Sequence, residues 1–189
     1  MLFYAALARA HGYDLDHSNV SMLSVDGVAF EVYKSVLNAL EIPWALRTDN
    51  DISDIKIGRR EQQQTLRNLA GINRALSLAG MQSRPHCLPP YDHAASLSDG
   101  TWQEVSSAVA PYGIFISQID LENDIAAELP TLLNGFKGHD LTQAITYLQG
   151  KKAVRMQEFV EYCGTQLRVN IDGHLLKPLR YCMQAAAEF

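Results

Sequence analysis

Cysteine is scarce in this chain: Cys87, Cys163 and Cys182 are the three among 189 residues. None forms a Cys-x-x-Cys pair, so neither a zinc knuckle nor a disulfide scaffold is expected, and a reduced, cytoplasmic setting fits best. Long apolar runs are missing as well. No stretch approaches the ~18 apolar residues of a membrane span. The apolar opening, Met1 to Ala10, is broken by Arg9 and lacks the basic leader of a signal peptide. Positive charge is not in excess: 16 Lys and Arg stand against 21 Asp and Glu, a net charge of -5. A broad basic face that coats DNA is therefore not expected, while a local basic groove, or an acidic site that meets phosphate through cations, stays open. The chain has no Gly-x-x-x-x-Gly-Lys-Ser/Thr loop and supplies no P-loop ATPase of its own. It also lacks internal repeats and low-complexity tracts.

What is present is a core-forming composition, 47% apolar, in a length that suits one domain with an appended helical piece. Leu2 to His11 reads as a helix stopped at Gly12. Val20 to Val25 leans towards a strand, Asp26-Gly27 turns the chain, and Val28 to Leu40 carries Val28, Val32, Val36, Leu37 and Leu40 at helical spacing. With a further strand over Pro43 to Thr48 this is a βαβ unit, whose strands are parallel. A long helix is expected from about Arg60 to Leu78, on the stripe Leu66, Leu69, Ile72, Leu76 and Leu78. Residues 81–110 read as an insertion: Met81 to Asp99, with three of the seven prolines, as an irregular stretch or lid, and Thr101 to Ala110 as a weaker helix. Tyr112 to Ser117 is the most strand-like run. Helices are expected over Ile125 to Leu133, Leu141 to Leu148, Lys152 to Cys163 and Leu175 to Ala187. The fold class is α/β: a small parallel sheet flanked by helices over 1–135, with a helical carboxyl-terminal extension over 136–189.

Two strands end in acid. The first runs into Thr48-Asp49-Asn50-Asp51, the second into Asp120-Leu121-Glu122. In open α/β sheets the carboxyl edge of the strands is where ligands bind. Residues two apart in an extended loop face the same way, so Asp49 and Asp51 can converge on one hard cation, Mg²⁺ or Mn²⁺. Asp120 and Glu122 would join them if the strands are parallel in one sheet. Lys151-Lys152, opening a helix, can bring a cation to developing negative charge. Plainer readings compete: Asp-Asn-Asp as a turn, Asp120 and Glu122 as acids at a helix start, and the lysines as a solvated pair. Lys56, Arg59 and Arg60 form a basic patch, and Arg47, Arg59 and Arg60 are candidates to meet phosphate. His86, Cys87, Asp92 and His93 match no zinc pattern.

Four blocks, taken in order, carry a resemblance: Ser24-Val-Asp-Gly-Val-Ala-Phe-Glu-Val-Tyr33, Ile42-Pro-Trp-Ala-Leu-Arg-Thr-Asp-Asn-Asp51, Ile119-Asp-Leu-Glu122 and Lys151-Lys-Ala-Val-Arg-Met156. Together they resemble the Toprim nuclease region of the overcoming-lysogenisation-defect (OLD) family of ATP-dependent endonucleases, whose relatives include the nuclease subunit of an antiphage system. The resemblance implies a Toprim-like fold and DNA cleavage with Mg²⁺ or Mn²⁺ at a two-metal site. It implies that Gly27 is the turn glycine, that Asp49 and Asp51 hold metal, and that Glu122, with Asp120, serves a second metal. Lys151 or Lys152 would stabilise the transition state; the sequence does not choose. DNA is the implied partner, together with an ATPase module or subunit that supplies ATP, and association into homo-oligomers is expected; no membrane partner is. Met1 falls just after the point where the family's Glu-Gly-x-x-Glu motif would stand. On that reading the leading glutamate and an inner strand are missing, and the chain alone binds metal poorly and cuts DNA weakly or not at all.

Two other readings follow from the same residues. Asp49-Asn-Asp51-Ile-Ser53 approximates the Asp-x-Asp-x-Thr loop of haloacid-dehalogenase-like phosphatases, with Asp49 as nucleophile, Asp51 as general acid and Asp120-x-x-x-Asp124 holding Mg²⁺. That loop normally follows the first core strand, and its lysine precedes the last acid motif, whereas Lys151 follows it. The third reading is a non-catalytic module that associates with an ATPase subunit or a second nuclease copy through an exposed edge and apolar surface.

Overall fold

A strand of three residues is stable only against partners, and in this chain two such strands find each other. A computed structural model describes residues 2–25, 29–59 and 63–188. Among these, β1 (Leu46–Thr48) and β4 (Ile114–Ile116) pair in parallel, with Leu46 opposite Ile114 and Thr48 opposite Ile116. Both belong to a compact unit spanning Ala45–Leu121. All of β4 is buried. It packs against α3 (Ala70–Leu78) and α5 (Thr101–Val109), which bury Ile72, Ala75, Leu76, Trp102, Val105 and Val109. Each large aliphatic side chain so buried contributes about 1.5–3 kcal/mol. Trp102 also donates its indole N–H to the Ser117 carbonyl at 2.8 Å, fixing α5 to the end of β4. The fold is thus α/β with a small parallel pair flanked by helices, as the strand-and-helix pattern predicts.

The expected helix from Arg60 to Leu78 is overturned in its first half. Residues beyond Asp51 form an antiparallel hairpin, β2 (Ser53–Ile57) and β3 (Gln64–Asn68), and the helix begins only at Ala70. Ile55 faces Leu66 across the hairpin, while Asp54 faces Arg67 and Lys56 faces Thr65 on the other side. This is period-two order, completed by an Arg67–Asp54 ion pair at 2.7 Å. Arg60 lies outside the described residues. The insertion is irregular only up to Asp92. There the Asp92 carboxylate accepts the Ala95 N–H at 2.9 Å and starts α4 (His93–Ser98).

The second unit takes in Met1–Trp44 and Glu122–Phe189. Its core joins α1 (Leu2–Ala10) to α9 (Lys152–Cys163), with Phe3, Leu7, Met156 and Phe159 buried. α8 (Leu141–Gly150) packs on α9 and α7 (Pro130–Leu133) on α8, and the unit also holds α6 (Leu121–Glu128, entering this unit at Glu122) and α10 (Lys177–Ala187). The expected strand at Val20 to Val25 does not form: those residues join no ladder. The βαβ unit is corrected accordingly, because an isolated β-leaning segment has nothing to hydrogen-bond. The Asp26-Gly27 turn, and with it the implied turn glycine, lies outside the described residues. Helix α2 (Phe30–Ala39) does form, yet buries none of its ten residues.

Candidate functional site

The Asp-x-Asp loop is held by the residue between its acids. Asn50 is completely buried. Its backbone N–H donates to the Ile119 carbonyl at 2.9 Å, and its side-chain Nδ2 donates to the Gln118 carbonyl at 3.0 Å. Its own carbonyl lies 2.5 Å from His93 Nε2; a carbonyl only accepts, so His93 carries its proton there. With Asn50 drawn inward, Asp49 is half-buried and Asp51 is exposed, the alternation an extended loop imposes. Asp120 follows Ile119 directly and is half-buried. Parallel pairing of β1 with β4 therefore brings Asp49, Asp51 and Asp120 to the same carboxyl edge, their backbones joined by the Asn50–Ile119 bond.

Helix α3 is seated on this loop. The Gly71 N–H donates to the Asp51 carbonyl at 2.9 Å. A Cβ at Gly71 would lie 2.4 Å from the Asp49 carbonyl oxygen and 2.5 Å from the Asp51 nitrogen, so only glycine permits the approach. Three residues on, the same helix face presents Arg74. Its guanidinium donates to Thr48 Oγ1 at 2.6 Å and to Asp51 Oδ2 at 2.5 Å, with 17% of the side chain exposed. Sequence reasoning missed both Arg74 and His93 as parts of this loop. The available signal was a lone arginine within the apolar stripe of α3. Arg47, a candidate for phosphate, instead donates to Ser117 Oγ at 3.0 Å. Arg59 is exposed.

Glu122 and the two lysines lie in the other unit. Glu122 and Asp124 are almost fully buried in the first turn of α6, where the helix dipole favours negative charge. Lys152 Nζ stands 3.7 Å from Glu122 Oε2. Lys152 opens α9, and Lys151 is the joint between α8 and α9. Of the two candidates, Lys152 is thus the one beside the predicted acid. The joint is fastened by Arg155, which donates to the Tyr147 carbonyl at 2.5 Å and lies over the Tyr147 ring at 4.3 Å.

The donors suit a hard divalent cation in kind: carboxylate oxygens two residues apart on a fixed loop, with Asp120 beside it. In number they form a partial set. Among the described residues no three His, Cys, Asp or Glu side chains converge on a point that would hold a metal, and one oxygen of Asp51 is taken by Arg74. Of His86, Cys87, Asp92 and His93, the last three are used otherwise, and His86 is exposed. Asp92 caps α4 and His93 grips Asn50. Cys87 bridges Arg67 through its backbone, and its thiol is pushed up by burial and then by Asp99.

The family model of the overcoming lysogenization defect protein-like TOPRIM domain matches residues 1–51. The chain is similar to the OLD-like Toprim domain. That matched span closes on Asp51 and so contains α1, α2, β1 and both acids of the Asp-x-Asp loop. Among curated proteins, Endonuclease GajA of Bacillus cereus (strain VD045) is 26% identical over 167 residues, which cover 81% of this chain and 28% of that relative. The chain therefore spans less than a third of that relative's length. Asp120, Glu122, Lys151 and Lys152 lie beyond the OLD-like Toprim span.

Proposed function

We propose that this chain is the nuclease module of an OLD-like, ATP-dependent endonuclease, cleaving DNA phosphodiester bonds with Mg²⁺ or Mn²⁺. The observation that supports it most is the Asn50–Ile119 bond, which sets Asp49, Asp51 and Asp120 on one edge of the parallel pair. In this reading Asp49 and Asp51 hold one cation, Glu122 with Asp120 serves a second, and Lys152 rather than Lys151 meets charge developing on the phosphate. Bound metal would polarise the phosphate and activate water. DNA is the substrate, a separate ATPase module supplies ATP hydrolysis, and the protein works in the cytoplasm as a homo-oligomer in phage defence. The similarity to a relative named as an endonuclease supports the substrate class.

The test is Mn²⁺-dependent nicking of supercoiled plasmid. The weak nicking expected of the chain alone should fall at least about tenfold in Asp51→Asn and in Lys152→Ala, below the roughly hundredfold or more that one transition-state donor can supply, and should change little in Lys151→Ala. Nicking untouched by Asp51→Asn defeats the assignment. A non-catalytic association module is the second reading, favoured by the exposed apolar residues of α2. Folded wild type that fails to nick any DNA, with or without an ATPase partner, would favour it.

A further inference from the structure

Asp51 does not stand alone in this chain. A guanidinium already occupies the position where a cation would neutralise it: Arg74 bridges Asp51 Oδ2 and Thr48 Oγ1. The arginine is largely buried at 17% side-chain exposure, and Thr48 is buried at 5%. Its anchoring is rigid. Gly71, one turn earlier on α3, abuts the backbone of Asp49 to Asp51 and donates to the Asp51 carbonyl. The helix, the loop and the ion pair form one fixed assembly. A planar fork with two donors matched to two acceptors is a geometry lysine does not reproduce.

We propose that Arg74 is a tethered cation that competes with divalent metal for Asp51, setting the metal affinity of the Asp-x-Asp loop. This rests on the reading of Asp51 as a metal donor. A divalent ion must break the Arg74–Asp51 bond or accept fewer oxygens, and either lowers affinity. The arginine replaces the missing charge in the metal-free protein, so the loop keeps its geometry before metal arrives. Once displaced, the guanidinium is left beside the acidic edge with donors suited to phosphate.

Mn²⁺ binding, read by electron paramagnetic resonance on the full chain, tests this without reference to cleavage. Arg74→Met should bind Mn²⁺ about tenfold more tightly than wild type, the factor expected from losing one charge-assisted competitor. Its thermal midpoint without metal should fall, and added Mn²⁺ should raise that midpoint more than in wild type. Thr48→Val, which loosens Arg74 while leaving every acid in place, should tighten binding by a smaller factor. Arg74→Lys should fall between wild type and methionine, and it serves if methionine does not fold. Folded Arg74→Met or Arg74→Lys with unchanged or weaker Mn²⁺ binding overturns the proposal. If Asp51→Asn leaves wild-type Mn²⁺ affinity untouched, Asp51 is no donor and both readings fall. If Asp51→Asn abolishes binding and Arg74→Met does not tighten it, the metal site stands and the competition fails.

Discussion

Gly71 concentrates the local demands of the acidic loop in one residue. Everything a methyl group would strike there is backbone: the Asp49 oxygen, the Asp51 nitrogen and the Asn50 Cα, the last at 2.7 Å. Backbone cannot swing aside as a side chain can. Gly71→Ala should therefore cost about 2–3 kcal/mol, at the upper end for overpacking, read as a drop in the urea midpoint, and should weaken Mn²⁺ binding as well. His11 makes a different residue-scale prediction. Burial, and secondarily Arg168, hold its imidazole below the ordinary value, and its Nε2 accepts the Val169 N–H at 3.2 Å. Only the neutral ring can accept. The unfolded chain takes up the proton near pH 6.5 while the folded chain resists it, so this stability is complete above about 6.5 and is lost as pH falls through the lower folded value. The urea midpoint of wild type should drop between pH 7.5 and 5.5 by more than that of His11→Gln. Equal drops would show that His11 is not responsible. Residues were unequally legible in the sequence. Asp49 and Asp51 stood out because spacing alone puts two carboxylates on one side of an extended loop. Arg74 and His93 did not, because each reaches the loop across 20 or more residues and neither belongs to a local pattern.

Elements were legible where their periodicity had one interpretation. α9 spans the range expected for it, Lys152 to Cys163. The hairpin was not, since Leu66, Leu69 and Ile72 recur at three, a spacing that also fits a helix. The alternation Ser53-Asp-Ile-Lys-Ile57 is the better guide, and Gly58, at φ 111, turns the chain where no other residue would readily follow. The strand expected over Val20 to Val25 failed for the opposite reason: propensity is satisfied only when a neighbour offers a ladder. Two predictions belong to elements. α8 starts at a capping box, Asp140 accepting from the Gln143 N–H at 2.8 Å and Gln143 Oε1 accepting from the Asp140 N–H at 3.1 Å. Asp140→Ala should cost about 1 kcal/mol in denaturant unfolding. The hairpin carries Lys56 and Arg59, both exposed, and a two-stranded ribbon is a shape that DNA grooves admit. If the module binds duplex DNA through this ribbon, Lys56→Ala with Arg59→Ala should flatten the plot of log affinity against log salt by about 1.8, near 0.9 per phosphate contact. An unchanged slope in fluorescence anisotropy would remove the ribbon from the interface.

For the whole molecule, the question is what the exposed apolar surface of α2 does for the chain's stability. Val32, Val36 and Leu40 recur at helical spacing, 65%, 52% and 63% exposed, and Leu23 nearby in sequence is 72% exposed. Helical amphipathicity normally marks a face that packs on a core, yet none of the ten residues of α2 is buried. An element with no buried side chain draws little stability from tertiary packing, and an isolated ten-residue helix is marginal in water. It follows that replacing this face with charge removes almost nothing that holds the chain folded. Val32→Glu with Val36→Lys, an acidic and a basic residue four apart that can pair along the helix, should leave the unfolding free energy within about 0.5 kcal/mol of wild type, the ordinary range for surface changes. Sedimentation of the same variant bears on the association reading, since an apolar stripe of this kind invites contact with another chain. A stability that rises with protein concentration in wild type but not in the variant would mean that the face is buried in an oligomer; a large loss in the variant at every concentration would mean that α2 packs within its own chain.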